Sequence, residues 1–452
     1  MNSRHAQLTC RLLLALCYLA PVVAPAQTRN DRYQPAAGLR RQVFLGVSLS
    51  SPNASQAGAE VKRVVDAGVA GHTGLRQNDR ILRINGLLLD SPAAVQRILI
   101  SLREGDTARF EIVRDGQPLD FTSTLQGLPR EHLQGVEIVY DAASTDLGFR
   151  VRTIVTRPRN SSGKLPAVFL VGWLSCDSVE YPFGPADDGF GQLLHELATQ
   201  SGYVMVRMDK PGVGDSEGPK CAETDFQTEL AAYRAAFTTL KRYSYVDLDR
   251  VFILGLSNGG GFAPLVPQLE KVRGYVVAGG WSKTWFEHML EHERRRLKLS
   301  GKKPGEVTES MKGYAEFYTD YLRRKMTPRE ILKAKPNLSP LWYGGPEQQY
   351  GRPASFFQQL EDLNLSASWE KVEAPVLVMH GEYDWIMSRD DHELIAEIVN
   401  SKQAGRAKFI ELPQTDHLFM TFENMSQAFR GEGGRYNKSV TAQVLEFLRE
   451  NR

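Results

Sequence analysis

"RVFILGLSNGGG", Arg250 to Gly261, is a short apolar run that ends in a serine set among glycines. The apolar residues read as a fully buried strand that stops at Gly255. Ser257 follows, then Asn258 and Gly259 to Gly261, and "FAPLVPQLEK" continues as a helix. The flanking glycines let the backbone turn tightly without side-chain clashes. Such a turn holds the Ser257 hydroxyl proud of the strand end, in a strained conformation. Strand, sharp turn and helix are the context a nucleophilic serine requires. A chain with 39 glycines also meets G-x-S-x-G by accident, so the rest of the sequence must supply the partners.

A serine hydroxyl is a poor nucleophile at neutral pH. It needs a base, and the base needs an orienting carboxylate. "VLVMHGEYDWIMS" places Asp384 just past one apolar strand, and "FIELPQTDHLFM" places His417 just past the next. Asp416 adjoins His417 and points elsewhere on its loop, while His380 reads as a strand-end structural residue. The oxyanion of an acyl intermediate calls for backbone N–H groups. Asn258, directly after the serine, is one expected donor. Trp173, after the strand "AVFLVGW", is the other, with Leu174 as its competitor.

From residue 135 the chain opens with an antiparallel pair, "VEIVYDA" and "RVRTIVTRP". Short, almost wholly apolar strands then alternate with helices. That pattern predicts a mostly parallel sheet covered on both faces, with its site at the carboxyl ends of the strands. An aromatic-rich helical insert spans about 282–365. Its 282–340 portion carries fourteen Lys/Arg against eight Asp/Glu, and it is expected to lie over the strand ends as a cap.

The order Ser257, Asp384, His417, together with "MDKPGVGDSEG" (Asp209, Gly212, Gly214 and Ser216 of a D-x-x-G-x-G-x-S turn), resembles the α/β-hydrolase superfamily over 135–452. Within it the segment looks most like capped bacterial esterases and serine aminopeptidase-like hydrolases. The resemblance implies an α/β fold, a Ser-His-Asp acyl-enzyme mechanism and no cofactor. The chain departs from the usual pattern at Val171-Gly172, where His-Gly is common. No metal is expected: His288 and His292 stand four apart on a cap helix without a third ligand.

Residues 41–127 read as a small β-rich unit. "DRILRING" turns at Asn85-Gly86, and "ARFEIVRDGQPLDFTSTL" is a hairpin turning at Asp115-Gly116. "FLGV" (Phe44, Leu45, Gly46, Val47) and "GLRQNDRILRING" resemble the PDZ domain of periplasmic HtrA-type proteases. The resemblance implies that the FLGV loop offers N–H groups to a peptide C-terminus, which then adds as a strand.

The 452 residues are too many for one ordinary core. Residues 1–26, with Arg4 and Arg11, an apolar run and Ala24-Pro25-Ala26, read as a secretory signal peptide. Residues 27–40 read as a linker. No later stretch is apolar and long enough to span a membrane. The full chain holds 55 Lys/Arg against 53 Asp/Glu, and loss of Arg4 and Arg11 balances the two, so nothing in the charge suggests a nucleic-acid partner. Cys10 and Cys17 leave with the signal. Cys176 and Cys221 remain, either as a disulfide or as two thiols, in an exported protein of the periplasm or the medium. The expected function is hydrolysis of a carboxylic ester. Two alternatives stay open: a peptidase fed by the PDZ-like domain, and a non-catalytic envelope binding protein.

Overall fold

The computed structural model describes residues 38–51, 57–65, 73–185, 188–268 and 270–452. The leader expected at 1–26 and most of the linker expected at 27–40 lie outside them.

The N-terminal sheet is antiparallel. It contains β1 (Val47–Ser50), β2 (Ala59–Val64), β3 (Arg80–Ile84), β4 (Leu87–Leu88), β5 (Thr107–Arg114) and β6 (Gln117–Thr124). The spatial order is β1-β2-β3-β5-β6, with β4 paired to β3. Two tight turns set its register. Asn85 and Gly86 both take positive φ between Ile84 and its partner Leu87; Asp115 and Gly116 do the same between Arg114 and Gln117. Both central residues of a type I′ turn need positive φ, which is why Asn-Gly and Asp-Gly occupy them. Ala59, Val61, Ile81, Ile84, Phe110 and Ile112 pack with Val95 of the helix Pro92–Leu99 to form a separate small core.

The larger part begins with β7 (Val136–Ser144) and β8 (Arg150–Pro158), an antiparallel pair. β9 (Leu165–Val171), β10 (Val204–Met208), β11 (Val246–Leu256) and β12 (Gly274–Ala278) follow. The insert contributes a hairpin of β13 (Gln348–Gln349) and β14 (Arg352–Pro353); β15 (Val376–Gly381) and β16 (Ala407–Leu412) then return to the sheet. The eight strands lie in the order β16-β15-β12-β11-β9-β10-β8-β7. All neighbours from β10 to β16 are parallel. β10, β12 and β15 are buried at every residue, which accounts for their unbroken apolar runs. This is an α/β-hydrolase sheet, with β11 in its interior. The insert carries the helices Trp285–Leu299, Pro304–Tyr318, Pro328–Ala334, Ala354–Glu361 and Leu365–Trp369.

Arg41 is among the side chains that join the two parts. Just ahead of the FLGV segment, it is buried and forms ion pairs with Glu180 and Asp215 at 2.7 Å each. Its guanidinium also donates to the carbonyls of Leu128 and Pro129. Among the described residues no helix is long and apolar enough to cross a membrane.

Candidate active site

β11 delivers Ser257 to the carboxyl edge of the sheet. Its backbone sits at φ 55, ψ −128, outside the conformations an ordinary residue prefers. The helix Asn258–Phe262 starts immediately after it. The glycines of the opening stretch answer to close packing. A Cβ on Gly259 would run into the carbonyl oxygens of Val171 and Gly172 at the end of β9, and one on Gly261 into the Trp281 indole. The turn therefore lies directly against the next strand.

β15 and β16 supply the partners. His417 Nε2 is 2.8 Å from Ser257 Oγ, and His417 Nδ1 is 2.7 Å from Asp384 Oδ2. The other carboxylate oxygen of Asp384 accepts the N–H groups of Ile386 (2.9 Å) and Met387 (2.8 Å), which fix its plane. Gly279 keeps φ +64 beside His417, and a Cβ there would press on the imidazole. Burial by itself would raise the Asp384 carboxyl, but the charge and hydrogen bond of His417 hold it well below the usual carboxylate range. Burial by itself would lower the His417 imidazole; Asp384, with help from Asp416, outweighs it and raises the pKa above 6.5. Asp416 turns away, accepting the amides of Leu418 and Met420, and burial pushes it up to about 6.

Asn258 is fixed by its side chain, whose Oδ1 accepts Trp281 Nε1 at 3.0 Å. Among the described residues, the N–H groups of Asn258, Trp173 and Leu174 donate to no protein acceptor. From Trp281 a row of rings leads into the insert: Trp285 at 4.9 Å, His288 at 4.6 Å from Trp285, then His292, which stacks 5.4 Å from Trp385. Burial lowers both imidazoles, His288 to about 4 and His292 to about 3, so both are neutral at pH 7.

The sequence reading missed Lys210, Glu229 and Arg352, which surround the loop after β9. Lys210 lay within the "MDKPGVGDSEG" turn. Glu229 and Arg352 belong to no local motif. Cys176 and Cys221, left open between two states, are joined by a disulfide. The FLGV segment differs from expectation at one residue. The Phe44 N–H is taken by Gln126 O at 3.1 Å and its ring packs 5.4 Å from Phe183, so Phe44 is part of the protein's own packing. Gly46 takes φ 66, and the N–H groups of Leu45 and Gly46 donate to no acceptor among the described residues. Val47 opens β1, whose outer edge ends the sheet.

The sequence pattern of a family described as "Serine aminopeptidase, S33" matches residues 188–421, and that of a PDZ domain matches 43–125. A probable periplasmic serine endoprotease DegP-like of Pseudomonas savastanoi pv. phaseolicola is 36% identical over 127 residues, 26% of each chain. A protein so described from Pseudomonas putida is 29% identical over 108 residues, 23% of each. The chain spans about a quarter of the length of these curated relatives. Among solved structures, an esterase of Pyrococcus furiosus is similar at 13% identity and TM-score 0.43, over 71% of this chain and 97% of that one. Est1E of Butyrivibrio proteoclasticus, with ferulic acid bound, is similar at 16% identity and TM-score 0.44, over 69% and 98%.

Proposed function

Because the chain belongs to the S33 serine aminopeptidase family of α/β-hydrolases and carries a PDZ domain, we propose that it is an exported serine hydrolase that cleaves a carboxylic ester with Ser257, His417 and Asp384. The observation that carries this reading is the unbroken relay from Asp384 through both nitrogens of His417 to the Ser257 hydroxyl. Ser257 Oγ attacks the acyl carbonyl while His417 Nε2 takes its proton. Asp384 keeps the imidazole oriented and stabilises its charged form. The Asn258 and Trp173 N–H groups receive the oxyanion. Collapse expels the alcohol, protonated by His417. A water, deprotonated by the same nitrogen, then releases the acid and restores Ser257.

Charge supports an ester over an amino-terminated peptide. An α-ammonium beside the scissile bond needs a free carboxylate. Three buried acids of the insert and the strand-end loops are already hydrogen-bonded within the protein: Glu293 by Arg296, Tyr318 and Tyr343, Asp391 by Ser388 and Ser282, and Asp416 by backbone amides. The neutral ring wall suits an uncharged acyl or alcohol group. The peptide reading retains one observation in its favour, the edge position of β1 among the described strands of its sheet, beside Leu45 and Gly46, which suits a peptide C-terminus. The Cys176–Cys221 disulfide supports an oxidising compartment outside the cytoplasm.

The test is kcat/KM on matched ester and amide substrates sharing one acyl group, with Ser257→Ala alongside. We expect ester turnover that the substitution abolishes and little amide turnover. Comparable amide turnover would move the reading to a peptidase. Ester turnover that survives Ser257→Ala would remove Ser257 from the mechanism.

A further inference from the structure

Three successive carbonyls of the loop after β9 are held by two buried basic side chains. Lys210 Nζ donates to Trp173 O and, at 2.6 Å, to Ser175 O. Arg352 Nε donates to the carbonyl between them, Leu174 O, at 3.0 Å. Both side chains meet one buried carboxylate: Glu229 pairs directly with Arg352 and lies 3.9 Å from Lys210 Nζ. Arg352 Nη1 also donates to Cys221 O at 3.2 Å, and Cys221 is bonded to Cys176, the next residue of the loop.

These contacts fix more than carbonyls. A trans peptide turns its C=O and N–H to opposite sides. Holding Trp173 O therefore fixes the plane that carries the Leu174 N–H, and anchors the residue that carries the Trp173 N–H. Neither N–H has a protein acceptor among the described residues. A buried lysine, whose pKa burial lowers to about 7 against the pull of Glu229, and a buried guanidinium over one carboxylate are costly to assemble, since each loses its hydration. Simple burial of apolar groups would hold a loop more cheaply, but it would leave the peptide planes free to rotate. Lys210 comes from the turn after β10, Cys221 from the short helix Cys221–Glu223 and Arg352 from the insert hairpin β13–β14, so three separate segments converge on this loop.

We propose that Lys210 and Arg352 are positioning residues: braced by Glu229 and by the Cys176–Cys221 disulfide, they set the loop after β9 in the orientation that receives the oxyanion. The proposal rests on the reading of Ser257 as nucleophile. Arg352 ties the cap to this loop, so the loop is complete only with the insert hairpin seated. Lys210 and Arg352 touch no reacting atom. Their loss should weaken the transition state and leave ground-state binding alone.

The test uses the full chain and four variants: Lys210→Met, Lys210→Arg, the double Cys176→Ser/Cys221→Ser, and Ser257→Ala. Each is measured for kcat and KM on one ester and for affinity toward a boronic acid that forms a tetrahedral adduct on serine. Lys210→Met should lower kcat and boronate affinity together by about 100-fold, with KM within about 3-fold. Lys210→Arg should recover most of both. The double serine variant should lose roughly 5-fold to 10-fold in the same two quantities. A loss confined to KM, or Lys210→Arg no better than Lys210→Met, overturns the proposal. Should Lys210→Met fail to fold, the double serine variant decides, and unchanged kcat and boronate affinity there overturn it. Ser257→Ala separates the two readings. If it stays active, the nucleophile assignment fails. If it is dead while the other variants match the parent chain, the positioning role alone fails.

Discussion

The turn after β11 and the loop after β9 face each other beside Ser257, and they are held by different physics. The turn is held by backbone and by close packing. Gly259 and Gly261 let it lie against Val171, Gly172 and Trp281, and no charged side chain is needed. The loop is held by buried polar side chains from elsewhere, with Lys210 and Arg352 donating to its carbonyls, Glu229 beneath both and a disulfide at Cys176. The difference follows from what each must do. A helix start presents its first N–H groups outward as a matter of geometry. An irregular loop has no such default, so its peptide planes must be fixed one at a time by side chains from elsewhere.

The largest expected effect removes the turn's chemistry altogether. Ser257→Ala should reduce kcat by at least about 10⁴-fold with the fold intact, read as loss of turnover at an unchanged melting temperature. Asp384→Asn should cost about 10⁴-fold in kcat by unsettling the imidazole. It should also change the pH profile, and the sign is fixed. In the proposed mechanism catalysis needs neutral His417, so kcat/KM should rise with pH as that proton leaves, with an apparent pKa above the ordinary imidazole value. Without the Asp384 charge the acid limb should move to lower pH; an unmoved limb would show that another group governs it.

Gly259→Ala attacks the contact between the two regions. Its methyl group would push the turn off Val171 and Gly172, both backbone neighbours that cannot rotate away. We expect a stability loss of about 1–3 kcal/mol by chemical denaturation and a kcat loss of roughly 100-fold. A loss of stability without one in kcat would show that the spacing between turn and loop is not what sets the rate. The smallest effect sharpens the comparison. Trp173→Phe keeps the backbone N–H and the ring packing on Phe190, so kcat should change by less than about 3-fold. A much larger change would assign the Trp173 indole itself a part in catalysis.

The legible features were those that local backbone demands impose. Ser257 stood out because a strand-to-helix turn this tight accepts glycine at particular positions. Asn85-Gly86 and Asp115-Gly116 announced their turns because positive φ at two consecutive residues narrows the choice of side chains. The continuous runs of β10, β12 and β15 announced a sheet covered on both faces, and the order of Ser257, Asp384 and His417 followed the order of strands. The rest was not local. Phe44 looked like a ligand-binding loop residue, yet its N–H and ring are taken up by Gln126 and Phe183, a contact that needs both parts of the chain in place.

By itself, then, the sequence determined which strands are buried, where the chain turns, and which serine stands at the end of which strand. These follow from side-chain period and backbone sterics, whose range is a few residues. Only the tertiary structure decided how the loop opposite that serine is held. Glu229 and Arg352 lie 123 residues apart, and Lys210 reaches a carbonyl 37 residues before it. An ion pair or a disulfide is set by distance in space, and a buried charge becomes stable only when folding brings its partner to it.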